Sequence, residues 1–185
     1  MKPSQIPNAI TIARMVVALP LLWLLTHEQF PQALVLALLA GMSDVVDGFL
    51  AKRYGWQSVL GGILDPIADK LLLSVCLFGL WWSEHLPTWL VATILLRDLT
   101  VGIGAFAWWR WSGAIRPAPT GISKVTTLSQ LLLVALVLAH LSGFDLAPSW
   151  LAPLMLATAA VTVVSGLHYV VDYSLRAWRG QRGEQ

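Results

Sequence analysis

The sequence predicts an all-α integral membrane protein with six transmembrane helices and both termini cytoplasmic. Composition is the first observation: the 185 residues are 57% hydrophobic and only 12% charged, too apolar for a soluble domain. The second is a series of apolar runs long enough to cross a bilayer, separated by short polar stretches. The third is where the basic residues fall. Lys2, Lys52, Arg53, Arg110, Arg116, Lys124, Arg176, Arg179 and Arg182 lie on one side of this arrangement, whereas the opposite loops hold His27, Glu28, Glu84, His85 and Asp145 and no Lys or Arg. Cytoplasmic loops carry the Lys and Arg excess, so the basic side is the cytoplasmic one.

The length leaves room for one membrane domain, 1–185. After the polar lead MKPSQIP, a first span covers about 8–26. Arg14 inside it, and the lack of a small-x-small site before His27, argue against a cleaved signal peptide. A second span covers about 31–53 and a third about 64–83, with Pro66 expected in an early turn where its missing N–H costs least. The short loop Glu84 to Leu86 leads into a fourth span, about 87–110, in which Arg97 and Asp98 are too deep to be ordinary surface residues. Trp111 to Thr120 is a polar, proline-bearing loop. The fifth span, about 121–141, opens with GISKVTTLSQ, and after the loop Ser142 to Ala147 the sixth covers about 148–172, followed by a basic tail. Trp23, Trp81, Trp82, Trp89, Trp108, Trp109, Trp111, Trp150 and Trp178 sit near the ends of apolar runs, where aromatic belts form, and His168, Tyr169 and Asp172 are expected as interfacial anchors. Cys76, the single cysteine, excludes an intrachain disulfide and is expected as a small core residue.

Four carboxylates interrupt this apolar chain: Asp44, Asp47, Asp65 and Asp69. Asp44, Asp47, Gly48 and Ala51 follow i, i+3, i+4, i+7 spacing, and Gly61, Asp65 and Asp69 follow i, i+4, i+8, so each set shares one helix face. If the two helices are antiparallel neighbours joined by a turn around Tyr54 to Gly61, the carboxylates converge near the basic side. Such a cluster cannot stay ionised and unpaired in low dielectric, and a divalent cation is the economical partner. All-oxygen ligation without His or Cys favours Mg²⁺ or Mn²⁺. The small residues leave room for a phosphorylated ligand, and Lys52 and Arg53 add positive charge one turn along.

The stretch from Asp44 to Asp69 resembles the signature of the CDP-alcohol phosphatidyltransferase family, D-x-x-D-G-x-x-A-R-x8-G-x-x-x-D-x-x-x-D, with every spacing in agreement. One position departs: Lys52 stands where the family has Arg, and Arg53 follows it, so a bidentate grip on phosphate is replaced by a point charge or shifted by one residue. The resemblance implies transfer of the phosphatidyl group of CDP-diacylglycerol to an alcohol, with release of CMP. It implies two metal ions held by Asp44, Asp47, Asp65 and Asp69, and Asp69 as the base for the acceptor hydroxyl; the residues alone do not choose among the four. The opening IPNAITIAR is similar to a P-N-x-x-T-x-x-R pattern in glycerol-accepting members, which implies Pro7, Asn8 and Thr11 near the cytidine or pyrophosphate. For Asn8 the alternative is a helix cap. Gly48, Ala51, Lys52, Arg53, Ser58 and Gly61 complete the implied CDP-lipid site, Ser58 being equally readable as a solvated turn residue.

For the acceptor, Arg97 and Lys124 are the candidates. Arg97 is either half of an ion pair with Asp98 or a phosphate ligand, and Lys124 either snorkels or binds phosphate. LLRDLTVG and GISKVTT resemble the eukaryotic-type cardiolipin synthases, which implies phosphatidylglycerol as acceptor. The phosphatidylglycerophosphate synthases, which use glycerol 3-phosphate, tend to read G-K-x-K-T where this chain has Ser123 to Thr127, and Thr126 in place of a Lys suits a phosphodiester. They are the alternative. Similar proteins are homodimers in the bacterial inner membrane or the mitochondrial inner membrane, with the site facing the cytoplasm-equivalent side, and nucleic acid is not an expected partner. A cation or proton carrier is the rival class; the glycine and alanine spacing, useful to a nucleotide and irrelevant to an ion, tells against it. A lipid scaffold without activity is a third reading, disfavoured by four intact aspartates.

Overall fold

The computed structural model describes residues 6–54, 59–112 and 121–182, with side chains described except at 6–8, 45, 47–52, 59–63, 107–109, 111–112 and 173–182. Among the described residues all regular structure is helical: α1 (Ile6–Thr26), α2 (Phe30–Tyr54), α3 (Val59–Trp82), α4 (Thr88–Ser112), α5 (Gly121–Leu141), a 3-10 turn (Pro148–Trp150) and α6 (Leu151–Arg182). By length and composition, α1, α4, α5 and the segment Pro148–Asp172 are long and apolar enough to cross a membrane. Among the described residues α2 carries a shorter apolar stretch, Phe30–Asp44.

Two boundaries differ from expectation. α3 begins at Val59, so Pro66 lies in the helix interior instead of in an early turn. α6 continues to Arg182, through residues expected to form the tail. The reason is the same in both: the apolar run marks the stretch suited to lipid, whereas backbone hydrogen bonding carries a helix on into polar residues.

The ends of α1 and α3 stop the same way. Gln29 N–H donates to Leu24 C=O at 2.9 Å and His85 N–H to Leu80 C=O at 2.9 Å, each across a residue in the left-handed region, Glu28 (φ 58) and Glu84 (φ 62). α5 repeats the pattern with Phe144 N–H on Ala139 C=O at 3.2 Å and Gly143 at φ 93. Glycine accepts this conformation readily, and the two glutamates adopt it at a cost of about 1–2 kcal/mol. No Gly marks those two stops in the sequence, but a proline follows each glutamate by three residues, Pro31 and Pro87.

The chain forms two compact units: Met1–Leu86 with Val134–Leu146, and Pro87–Leu133 with Ala147–Gln185. In the first, α1 packs against both α2 and α3. Its core includes Leu21, Leu25, Ala33, Leu77, Leu80 and Leu138, and Cys76 is buried as expected. Residue pairs 11/65, 14/69 and 25/79 keep a sequence offset of 54 or 55, so α1 and α3 run parallel in one constant register. In the second unit α4 packs on α6, Leu90 and Ile94 of α4 are fully buried, and Thr126, Gln130, Thr158, Thr162 and Ser165 are buried polar residues. Gln130 Nε2 donates to Thr162 Oγ1 at 3.4 Å and Thr162 Oγ1 to Thr158 C=O at 2.7 Å, the interhelical polar contact expected where lipid offers no alternative partner. Tyr169, expected as an interfacial anchor, is buried, while Trp23, Trp82 and Trp89 are exposed at helix ends.

Candidate active site

Thr11 and Arg14 are one turn apart on α1 and share a face. The constant register sets that face against the start of α3, where Asp65 and Asp69 are themselves one turn apart. Thr11 Oγ1 donates to Asp65 Oδ1 at 2.6 Å. Arg14 Nη1 donates to Asp69 Oδ1 at 2.7 Å and also to Asp44 Oδ1 of α2 at 2.6 Å. One nitrogen therefore ties two helices, and the two carboxylate oxygens are no farther apart than the sum of those lengths. The Arg14 side chain is 1% exposed, whereas those of Asp44 and Asp69 are 38% and 52% exposed, so the guanidinium reaches the carboxylates from the packed interior and leaves them open outward.

Asp44 and Asp69 meet on Arg14, and Asp65 stands one turn before Asp69 on Thr11, so among the described residues the carboxylates of α2 and α3 are linked through α1. Arg14 was legible only as an odd charge in an apolar run and as the last position of the P-N-x-x-T-x-x-R pattern. Its role depends on which face of α1 meets α2 and α3, and periodicity within α1 does not carry that.

The other predicted residues divide by what is described. Asp47, Gly48, Ala51 and Lys52 are on α2 and Gly61 is on α3, with side chains and surroundings outside the described residues, as is the whole of Ser58. Arg53 is exposed near the end of α2. Pro7 and Asn8 belong to α1, their side chains likewise outside the description; because α1 starts at Ile6, Asn8 is within the helix and not its cap.

The two acceptor candidates lie in the second unit. Arg97 is 7% exposed, and its guanidinium donates to Asp98 Oδ1 at 3.0 Å, Ser123 Oγ at 2.9 Å and Ser165 Oγ at 2.8 Å. It thereby joins α4, α5 and α6, with Nε buried and lacking a partner. Gly166 lies alongside, where an added Cβ would stand 3.4 Å from Arg97 Cγ. Lys124 is exposed and, with Ser123, Thr127, Leu128 and Leu131, lines an open groove of about 350 Å³ on α5. Thr126, by contrast, is fully buried and donates to Ile122 C=O at 2.9 Å.

Among the described residues no three acidic, imidazole or thiol groups converge as a ready ligand set, and the Asp47 side chain is not among them. The donor chemistry fits a hard divalent ion all the same. Among the described residues, the side chains that accept from Arg14 and Thr11 offer carboxylate oxygen, and a cationic group sits between Asp44 and Asp69.

Several helices long and apolar enough to cross a membrane, with two partly exposed carboxylates held by a buried arginine within the first unit, define a multi-pass membrane protein that carries a polar site. The profile of the CDP-alcohol phosphatidyltransferase family matches residues 4–165, and the chain belongs to that family. It is 36% identical to the cardiolipin synthase (CMP-forming) of Rattus norvegicus over 90% of this chain and 61% of that protein. It is 31% identical to the chloroplastic CDP-diacylglycerol–glycerol-3-phosphate 3-phosphatidyltransferase 1 of Oryza sativa subsp. japonica, over 91% of this chain and 57% of that protein. A probable phosphatidylglycerophosphate synthase of Mycobacterium tuberculosis is 34% identical over 95% of this chain and 83% of its own length. The chain thus spans about three fifths of the rat and rice relatives.

Proposed function

We propose that this chain transfers the phosphatidyl group of CDP-diacylglycerol to a glycerol-type alcohol with release of CMP, and that the alcohol is phosphatidylglycerol. The observation that supports the reading is that Arg14 Nη1 holds Asp44 of α2 and Asp69 of α3 together, with Asp65 one turn from Asp69, in a chain of this family. The acceptor rests on the resemblance of Ser123 to Thr127 to cardiolipin synthases and on the rat relative; the rice and mycobacterial relatives support glycerol 3-phosphate as the alternative.

In this reading Asp44, Asp47, Asp65 and Asp69 hold two Mg²⁺ or Mn²⁺ ions, which when bound supply charge neutralisation for the pyrophosphate. Asp69, the more exposed of the two carboxylates on Arg14, accepts the proton of the acceptor hydroxyl. The new bond joins that oxygen to the phosphatidyl phosphorus, and the bond to the CMP oxygen breaks with its electron pair leaving on CMP. Thr11, through Asp65, positions the start of α3, and Lys52 or Arg53 grips the pyrophosphate. Pro7, Asn8, Gly48, Ala51, Ser58 and Gly61 border the CDP-lipid, and Arg97 and Lys124 receive the acceptor phosphate. All six α-helices span the membrane, both termini and the site face the cytoplasm-equivalent side, and the functional unit is a homodimer.

The test uses the purified chain in detergent with CDP-diacylglycerol, Mg²⁺ or Mn²⁺, and each candidate alcohol, measuring CMP and the lipid product. A product with four acyl chains is expected. Efficient turnover of glycerol 3-phosphate with none of phosphatidylglycerol reassigns the acceptor, and no CMP release from any alcohol, with cation flux in vesicles, replaces the enzyme by a carrier.

A further inference from the structure

We propose that Arg14 is a resident counter-cation of the carboxylate site, bridging Asp44 and Asp69 while no divalent ion is bound and giving way to the ion, so that Arg14 sets how tightly the ion is held. The proposal rests on the metal-binding reading above.

Asp44 and Asp69 belong to different helices and would repel if left alone. Arg14 Nη1 donates to both, at 2.6 and 2.7 Å, the length range of charge-assisted hydrogen bonds. A guanidinium keeps its charge at any pH the protein meets, so this neutralisation does not depend on protonating an aspartate. The bridge also comes from the buried side of α1, leaving the carboxylates half-exposed on the side from which an ion would arrive. Thr11, one turn before Arg14, holds Asp65 at 2.6 Å, so the third carboxylate keeps its place whether or not Arg14 is engaged. A divalent ion that takes Asp44 and Asp69 must replace two charge-assisted hydrogen bonds or bind against a neighbouring positive charge. Both weaken the apparent affinity relative to a site without the arginine. The opposite role is also definable: if Arg14 serves mainly to gather the carboxylates for the ion, its removal weakens binding.

Mn²⁺ titration of the full chain in detergent, followed by the electron paramagnetic resonance of the free ion, separates the two, with thermal unfolding in EDTA and in Mn²⁺ alongside. Arg14→Gln should bind Mn²⁺ more tightly than wild type by about tenfold or more. It should also unfold at a lower temperature in EDTA and gain more from Mn²⁺. Arg14→Lys keeps the charge on a shorter stem whose ammonium reaches the two carboxylates less closely than Nη1, and should tighten Mn²⁺ binding severalfold; should Arg14→Gln fail to fold, this variant decides alone, and an unchanged affinity overturns the proposal. Equal or weaker Mn²⁺ binding by Arg14→Gln, with binding intact in wild type, overturns the role of Arg14 and leaves the metal site standing. Absence of Mn²⁺ binding to wild type overturns both.

Discussion

Gly79 of α3 faces Leu25 of α1 so closely that an added Cβ would stand 2.6 Å from Leu25 Cβ and 2.7 Å from Cδ1. This contact lies at the far end of the same parallel register that pairs Thr11 with Asp65 and Arg14 with Asp69. A helix contact with no functional group in it therefore helps set the alignment of the site.

Gly79→Ala is expected to destabilise the protein, although alanine favours a helix over glycine by about 1 kcal/mol. The overpacking cost of about 1–3 kcal/mol exceeds that gain because Leu25 Cβ is fixed to its backbone. Leu25→Ala removes the Cδ1 contact but keeps the Cβ contact, so it should not rescue. Thermal unfolding in detergent measures both; an unchanged or raised midpoint for Gly79→Ala would show that α1 and α3 separate without penalty.

Asp69→Asn should lose turnover by at least about 10²-fold, the typical effect of a removed general base, while part of the CDP-lipid binding survives. Asp44→Asn should lose both turnover and donor binding. Chelation of the wild type with EDTA should abolish CMP release, with Mn²⁺ or Mg²⁺ restoring it. A near wild-type rate for Asp69→Asn at neutral pH places the base elsewhere.

Arg97 has a structural and an acceptor role to tell apart. Ser165→Ala removes a buried hydrogen bond to its guanidinium and should lower stability by about 1.5–3 kcal/mol. Arg97→Lys lacks the fork that meets Asp98 through Nη1 and both serines through Nη2. If Arg97 also receives the acceptor phosphate, this variant raises KM for the acceptor and leaves KM for CDP-diacylglycerol alone. Equal effects on both would mark Arg97 as a brace for α4, α5 and α6.

Burial of Thr126 changes what a lysine there would do. Read from the sequence, the substitution adds a partner for glycerol 3-phosphate. In the structure, position 126 is enclosed within its unit, so Thr126→Lys forces an ammonium into packed surroundings. The expected result is a lower thermal midpoint without gain in glycerol 3-phosphate turnover. A stable variant that does gain it would show that position 126 can open toward the acceptor.

The sequence by itself determined the helical class, the approximate helix spans, the sharing of a face by Asp65 and Asp69, and the family signature from Asp44 to Asp69. These are properties of composition and of the 3.6-residue period, which act within one segment. Tertiary structure decided the partners. Arg14 meets Asp44 and Asp69, Thr11 meets Asp65, and Arg97 meets Ser123 and Ser165, across separations of 26 to 68 residues. Periodicity says which residues look the same way, and it is silent on which faces meet. That choice is made by close packing, as at Gly79 and Leu25, and by the need of each buried charge to find a counter-charge or hydrogen-bond partner.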